Sequence, residues 1–204
     1  MKILFAFITL MALSACSVTR TYKSAYTLDA HASIAAHASI AAHASESCKD
    51  KTLKVSQAFS KNTLMTTNMS YVEGEYNQYV FSESQWSQSP SSTITRSITQ
   101  SVRNAGLFRS VQGHKSRSKS DYILESSIED FMQYFSKDLQ NSFVNIVIHF
   151  ALIDARNSDV LQSVTLSKKV AVDQLDAKAG VKALGQGLNE ILEEKNSWLN
   201  EACR

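Results

Sequence analysis

The 204-residue chain has one proline and six glycines, and its glycines build none of the familiar catalytic or phosphate-binding motifs. It contains no Gly-x-Ser-x-Gly turn, no glycine-rich phosphate loop and no His-Glu-x-x-His helix. Its 21 basic and 19 acidic side chains leave a formal net charge of +2, so no charge excess indicates a nucleic acid or polyanion as partner. These absences favour a protein that is neither an enzyme nor a nucleic-acid-binding protein.

Histidine and carboxylate side chains are present, but their spacing does not indicate a catalytic set. His149 and Asp154 are five residues apart in a predicted strand, which directs their side chains to opposite faces. The pairs Glu129-Asp130 and Glu193-Glu194 are adjacent residues, whose side chains point apart and are typical of solvated charge. We therefore predict no catalytic residue and no cofactor.

His31, His37 and His43 begin the units of a tandem His-Ala-Ser repeat. A step of six residues separates them around a helix, and along a strand it places neighbouring histidines about 20 Å apart. No Cys, Asp or Glu lies between them to complete a metal site. We interpret the repeat as an inserted, linker-like segment without a metal.

The N-terminal segment has the parts of a secretory signal. Lys2 precedes an apolar run from Ile3 to Leu13 that is too short to span a membrane, and the small residues Ser14 and Ala15 follow. Because Cys16 comes directly after Leu-Ser-Ala, the segment resembles the lipobox of bacterial lipoproteins. An ordinary signal peptide with a cysteine near the cleavage site is the alternative.

The lipobox resemblance implies that residues 1–15 are removed as a signal peptide and that Cys16 carries acyl chains such as palmitate. Several acyl chains anchor a protein lastingly where one chain does not. The mature protein would then face the periplasm from a membrane. Ser17 after the cysteine resembles the sorting pattern of outer-membrane lipoproteins, although the choice between inner and outer membrane stays open.

Two further cysteines, Cys48 and Cys203, remain outside the lipobox. An even pair in an oxidising compartment is a disulfide candidate. In the chain-entropy model a loop of this length gives roughly 4–5 kcal/mol of stabilisation. Two free thiols are the alternative.

Composition shifts divide the mature chain into two parts. Residues 16–51 are predicted to be a tether that contains the His-Ala-Ser repeat and a short strand near Ala25 to Leu28. Residues 52–204 are predicted to form a single domain, with a first strand at 53–56.

Alternating apolar residues predict three long strands, at 121–135, 143–154 and 160–172. The segments 64–72 and 78–81 flank a turn-forming group and are predicted to form a hairpin.

Two helices complete the predicted domain. The first begins with Ser89 as cap and Pro90 in the first turn, and it ends at Gly106. The second follows Asp176 and has an apolar stripe that also includes Lys195. This order of elements predicts a two-layer α+β fold, an antiparallel sheet with both helices packed on one face.

An aromatic segment from Tyr76 to Trp86 precedes the first helix. We expect Phe81 and Trp86 in the core. Tyr76 and Tyr79 are expected at the rim, where an apolar ring with a polar tip suits a partner surface.

The order of these motifs carries a family resemblance. A lipobox, Tyr26-Thr-Leu28, the aromatic hairpin, Gln85-Trp86-Ser-Gln-Ser-Pro90, Gly106-Leu-Phe108, Asp121-Tyr-Ile-Leu124 and a helix ending near Trp198 follow one another. Together they resemble the auxiliary lipoproteins of ABC-type transport systems, the PqiC-like proteins linked to MCE-domain lipid transporters.

The resemblance implies a non-enzymatic envelope component that binds transporter partners such as an MCE-domain protein or a permease. It would help lipids or other apolar molecules to cross between membranes. A lipoprotein that carries lipid in an apolar pocket is one alternative, and a cofactor of outer-membrane or cell-wall assembly is another. Self-association into a homo-oligomer stays open.

Overall fold

The computed structural model describes residues 22–28 and 48–202. These residues form nine strands, one short 3-10 turn at Asn62–Met65 and two helices. The strands are β1 (Ser24–Tyr26), β2 (Thr52–Val55), β3 (Phe59–Ser60), β4 (Asn68–Glu73), β5 (Asn77–Trp86), β6 (Ser110–Gln112), β7 (Tyr122–Phe135), β8 (Ser142–Asp154) and β9 (Val160–Ala171). The helices are α1 (Pro90–Ala105) and α2 (Ala177–Ala202). None of the helices in these ranges is long and apolar enough to cross a bilayer.

The three longest strands form an antiparallel meander, as the alternating apolar pattern predicts. β8 pairs with β7 along its whole length and with β9 on its other edge. Every second residue of β8 is buried, and the apolar ones among them form the middle of the core: Val144, Ile146, Ile148, Phe150 and Leu152. The intervening residues are half-buried on the outer face of the sheet.

The rest of the sheet is mixed rather than uniformly antiparallel. β4 and β5 form the predicted antiparallel hairpin, but β2, β3 and β4 all pair with β7 in parallel, and β1 is parallel to β5. Parallel neighbours require crossover connections, which side-chain alternation does not encode. The predicted α+β class is confirmed, and the parallel pairs add to it.

Both helices pack on the face of the sheet that carries the buried residues of β8. α2 contacts β7, β8 and β9, while α1 contacts α2 and β2. Gly187 permits a close approach, because a Cβ added there would lie 2.9 Å from Ile146 Cδ1 and 3.2 Å from Val170 Cγ2. At Gly180 an added Cβ would lie 2.0 Å from Gln133 Oε1. The glycines of α2 therefore let the helix lie directly on the strands.

The ends of the helices follow the sequence signals. Pro90 occupies the first turn of α1, and the helix stops where Gly106 adopts a left-handed backbone with φ of 64°. Ser89 is at the cap position, but its side chain makes no capping hydrogen bond. Asp176 does cap α2, since its Oδ1 accepts a hydrogen bond of 2.7 Å from the Ala179 amide.

The folded unit includes residues ahead of position 52. β1 pairs with the last three residues of β5, and the side chains of Leu28 and Cys48 are buried in the core. The chain thus joins the sheet already at β1, within the stretch that the sequence assigns to the tether.

Three connections meet at one end of the sheet, which we call the loop end. They are the β4–β5 turn (residues 74–76), the β7–β8 turn (136–141) and the β9–α2 loop (172–176). The Gly74 amide donates to the Phe135 carbonyl at 3.0 Å, and the Val172 amide donates to the Ser142 carbonyl at 2.9 Å. The β8–β9 turn lies at the opposite end of the sheet.

Candidate docking surface

Ser101 and Lys195 have the spacing of a nucleophile beside a general base. Lys195 Nζ lies 3.2 Å from Ser101 Oγ, and burial lowers the pKa of this lysine well below its ordinary value of 10.5. Both side chains are almost completely buried between α1 and α2, so a substrate cannot reach them. Asn196 Nδ2 also donates to Ser101 Oγ, at 2.9 Å. Ser101, Lys195 and Asn196 therefore form a polar contact between the two helices. The sequence indicated this contact only through the presence of Lys195 in the apolar stripe of α2.

The two members of the acidic pair in β7, Glu129 and Asp130, have different surroundings. Glu129 is exposed at a bulge in the strand. Asp130 accepts hydrogen bonds from Tyr134 Oη and Asn145 Nδ2, both at 2.7 Å. Burial and the neighbouring carboxylate raise the pKa of Tyr134. The two carboxylates thus do not converge on a common point.

The acidic pair in α2 is divided as well. Glu194 forms an ion pair of 2.5 Å with Lys168 of β9, and Glu190 lies 3.7 Å from the same ammonium group. Glu193 lines a separate groove beside Tyr26. These charges fasten the helix to the sheet and do not form an acid–base pair.

His149 and Asp154 are also apart, as their spacing predicts. His149 Nδ1 lies 2.9 Å from Thr165 Oγ1 on the outer face. Asp154 binds Arg156 at 2.6 Å, and this guanidinium lowers the pKa of the carboxyl group to about 2. Within residues 22–28 and 48–202 no group of three metal-binding side chains is present. His31, His37 and His43 lie outside the described residues.

An open cleft of about 830 Å³ lies at the loop end, between the β4–β5 and β7–β8 turns. Tyr134 and Phe143 stack in its wall with ring centroids 5.2 Å apart and an interplanar angle of 5°. The ammonium group of Lys169 lies 3.7 Å from the centre of the Phe143 ring. Charged side chains at the cleft are Glu73, Glu75 and Lys137.

The two tyrosines expected at a partner surface are placed on different surfaces. Tyr76 is 88% exposed in the β4–β5 turn and borders the cleft beside Tyr134. Tyr79 is 45% exposed, and its ring lies 5.6 Å from that of Tyr71. Tyr71 in turn contacts Phe81 and Phe135 on the helix-bearing face. Tyr79 is therefore the exposed member of an aromatic group, while Tyr76 lies at the β4–β5 turn beside the cleft.

The cysteines and the signal segment are only partly within the described residues. Cys48 is buried, whereas Cys16, Cys203 and residues 1–15 lie outside the described ranges. The acylation of Cys16 and the pairing of Cys48 with Cys203 stay predictions.

Comparison with known proteins identifies the family. The family model described as "ABC-type transport auxiliary lipoprotein component" matches residues 26–194, which is most of the chain. The chain belongs to this family, so the predicted resemblance is confirmed at that level. No curated protein matches the sequence.

Solved structures share the fold at low sequence identity. Protein XCC0632 from Xanthomonas campestris superposes with a TM-score of 0.74 at 14% identity, covering 88% of this chain and 95% of that one. An uncharacterized protein gives 0.65 at 13% identity, covering 87% and 99%. The hypothetical protein CT253 from Chlamydia trachomatis gives 0.51 at 7% identity, covering 76% and 98%.

Proposed function

We propose that this protein is a periplasm-facing lipoprotein, anchored through Cys16, that acts as a non-enzymatic accessory component of an ABC/MCE-type system for lipids or other apolar molecules. The observation that carries the proposal is the family match over residues 26–194. The buried position of Ser101 and Lys195 and the separation of the acidic pairs support a role without chemistry.

Anchoring depends on acylation of Cys16 after removal of residues 1–15. Metabolic labelling with palmitate should mark the protein, and Cys16→Ala should abolish both the label and recovery in the membrane fraction. Ser17→Ala is the matched control and should keep both. A Cys16→Ala protein that stays membrane-bound after signal cleavage contradicts the anchoring.

The outer membrane is the proposed location, because serine follows the acylated cysteine. Ser17→Asp introduces the residue associated with retention in the inner membrane. We expect the variant to move to inner-membrane fractions on a density gradient while its palmitate label is unchanged. An unchanged outer-membrane distribution contradicts the sorting proposal.

Docking of a transporter component is proposed for the surface around Tyr79. A partly exposed ring that is backed by other aromatic rings offers contact area at a low entropic cost. A photo-crosslinking residue at position 79 should capture an MCE-domain protein or a permease in intact cells. As a control, the photo-crosslinking residue replaces Gln162, which is exposed on β9 near the opposite end of the sheet. We expect no capture of these partners from that position. Capture of a cell-wall or outer-membrane assembly factor instead would favour that alternative.

Lipid carriage is less well supported than docking. The cavity between sheet and helices near Trp86 and Leu184 measures about 10 Å³, whereas ligand pockets measure roughly 300–1,000 Å³. The larger concavities of the described residues, about 830 and 600 Å³, are open clefts with charged side chains in their walls. Purification with bound acyl chains other than the anchor would reverse this preference.

A further inference from the structure

Each of the three connections at the loop end presents one exposed apolar side chain. Tyr76 is 88% exposed in the β4–β5 turn, Leu139 is 47% exposed in the β7–β8 turn, and Leu175 is 48% exposed in the β9–α2 loop. Single exposed apolar residues are ordinary on a protein surface, but a group at adjoining loop tips is typical of a contact site.

The β7–β8 turn holds Leu139 outward in an unfavourable backbone conformation. Leu139 has a φ of 54°, in the left-handed region that a bulky side chain rarely adopts. Hydrogen bonds of 2.9 Å from the Leu139 amide to the Ser136 carbonyl and from the Ser136 amide to the Asn141 carbonyl close the turn around it. Strain of this kind is typical of sites with a function.

The direction of β1 shows from which side the chain enters the sheet. β1 is parallel to β5, with Ser24 opposite Ser84, and β5 begins at the loop end with Asn77. Ala25 pairs with Gln85, and Gln85 pairs with Asn68, which lies five residues, about 17 Å, before Glu73 at the loop end. Because β1 runs away from the loop end, Tyr22, ahead of Ala25, lies no farther from that end. The chain therefore enters the sheet from the side of the loop end.

The length of chain ahead of Tyr22 restricts which surface can meet the membrane. Six residue steps separate Cys16 from Tyr22, and even a fully extended chain spans no more than about 22 Å over that length. The anchor can therefore reach the level of the loop end. β7 runs for 14 residues, roughly 45 Å, which leaves about 28 Å or more between Tyr22 and the opposite end of the sheet. That end therefore lies beyond this reach.

Charges around the three loop tips indicate the kind of headgroup. Three exposed lysines lie at or next to the connections: Lys137, Lys169 and Lys178. Exposed carboxylates are present in all three connections: Glu75, Asp138, Asp173 and Asp176. Asp138 accepts a hydrogen bond from Ser136 Oγ, and Asp176 caps α2. A surface on which both signs are nearly balanced suits zwitterionic headgroups, and it lacks the surplus of basic side chains that binds strongly anionic lipids.

We propose that the loop end is a second membrane contact, in which Tyr76, Leu139 and Leu175 rest at the headgroup boundary of a bilayer rich in phosphatidylethanolamine. The proposal rests on the acylation of Cys16 in the proposed function. Tyrosine suits this boundary because its ring is apolar and its hydroxyl group is polar. Because only six residue steps separate Cys16 from Tyr22, the acyl anchor keeps these three side chains close to the bilayer. A contact too weak to bind alone can therefore persist. The sheet then stands on the membrane with its opposite end in the periplasm.

Fluorescence quenching by brominated lipids tests this orientation on the acylated, full mature protein. Tryptophan is introduced by Tyr76→Trp, Leu139→Trp or, as a matched control on the exposed Val160 at the opposite end, Val160→Trp. The vesicles contain phosphatidylethanolamine and phosphatidylcholine with brominated acyl chains, and the signal of the parent protein, which has two tryptophans, is subtracted. We expect quenching at positions 76 and 139 to exceed that at 160 by about twofold or more.

The outcomes separate this proposal from the anchoring on which it rests. Vesicles that float with the protein but show no extra quenching at positions 76 and 139 overturn the membrane contact and leave the anchor standing. A parent protein that does not float with vesicles overturns both. Quenching that increases strongly when phosphatidylglycerol is added overturns the assignment to zwitterionic headgroups. If tryptophans at positions 76 and 139 become shielded from solvent only when transporter components are added, these positions belong to a protein interface. That result also overturns the proposal.

Discussion

Replacing Lys195 by methionine should make the protein more stable at neutral pH. The side-chain amino group is fully buried, its hydrogen-bond partner is the Ser101 hydroxyl at 3.2 Å, and no carboxylate of the described residues forms an ion pair with it. Methionine has a similar length and forms helices as readily as lysine. The substitution therefore removes a buried polar group while filling its space.

The size of the effect follows from two opposing terms. Burying a polar group with incomplete hydrogen bonding costs about 1–3 kcal/mol in proteins, and the lost hydrogen bond to Ser101 contributes about 1 kcal/mol. Ser101 keeps its hydrogen bond from Asn196. We expect a net gain of up to about 2 kcal/mol from these two terms, and each kcal/mol raises Tm by about 2–4 °C in a protein of this size.

The gain should depend on pH in one direction. Burial lowers the pKa of Lys195 in the folded state below the ordinary 10.5 of the unfolded state. Between these two pKa values the unfolded chain binds the additional proton, so the stability of the wild-type protein rises with pH through this window. The advantage of Lys195→Met should therefore be larger at pH 7 than at pH 10, and it should shrink as pH approaches 10.5.

Thermal unfolding followed by circular dichroism at pH 7 and at pH 10 measures both effects. Lys182→Met, on the exposed side of the same helix, is the control and should change the free energy of unfolding by less than about 0.5 kcal/mol. A lower Tm for Lys195→Met at pH 7, or a gain of equal size at both pH values, refutes the reasoning.

Three further predictions follow from packing, covalent linkage and charge. Gly187→Val should lower stability by about 1–3 kcal/mol because the added side chain forces α2 away from β8 and β9; Gly113→Ala, where an added Cβ meets open space, should be nearly neutral in the same denaturant titration. Cys203→Ser should lower Tm, with a loss of up to roughly 4–5 kcal/mol in the chain-entropy model, if this cysteine pairs with Cys48; an unchanged Tm, or free thiols at both positions in mass spectrometry, contradicts the pairing. Asp121→Asn should make the free energy of unfolding depend less on pH in the acid range. Hydrogen bonds from Thr52 lower the pKa of Asp121, and their stabilisation is lost in the wild-type protein as pH falls through that pKa. An unchanged midpoint of acid unfolding contradicts this prediction.

Local signals in the sequence were enough to place most elements. The single proline at position 90 and Gly106 bound α1 within a residue, since one fixes the first turn and the other adopts a positive φ. The alternation in β8 gave both its length and its buried face, because side chains of a strand alternate with a period of two. These features depend on the chain within a few residues of each position.

The surroundings of the candidate site residues could not be predicted from local sequence signals. Tyr76 and Tyr79 were expected together at a rim, but only the hairpin register decides that Tyr79 joins Tyr71 on one face while Tyr76 stands at the turn. Lys195 was visible as a cation in an apolar stripe, yet its contact with Ser101, 94 residues away in the chain, depends on how two helices meet. Neither contact leaves a pattern in the neighbouring sequence.

The sequence by itself determined the lipobox prediction at Cys16, the α+β class and the transport-auxiliary family, because each is written in contiguous residues or in their order. The tertiary structure decided that β2, β3 and β4 run parallel to β7 and that β1 joins the sheet ahead of the predicted domain boundary. It also brought three distant connections to one end of the sheet. Such pairings are chosen by the free energy of burying whole faces against each other, which sums over residues far apart in the chain.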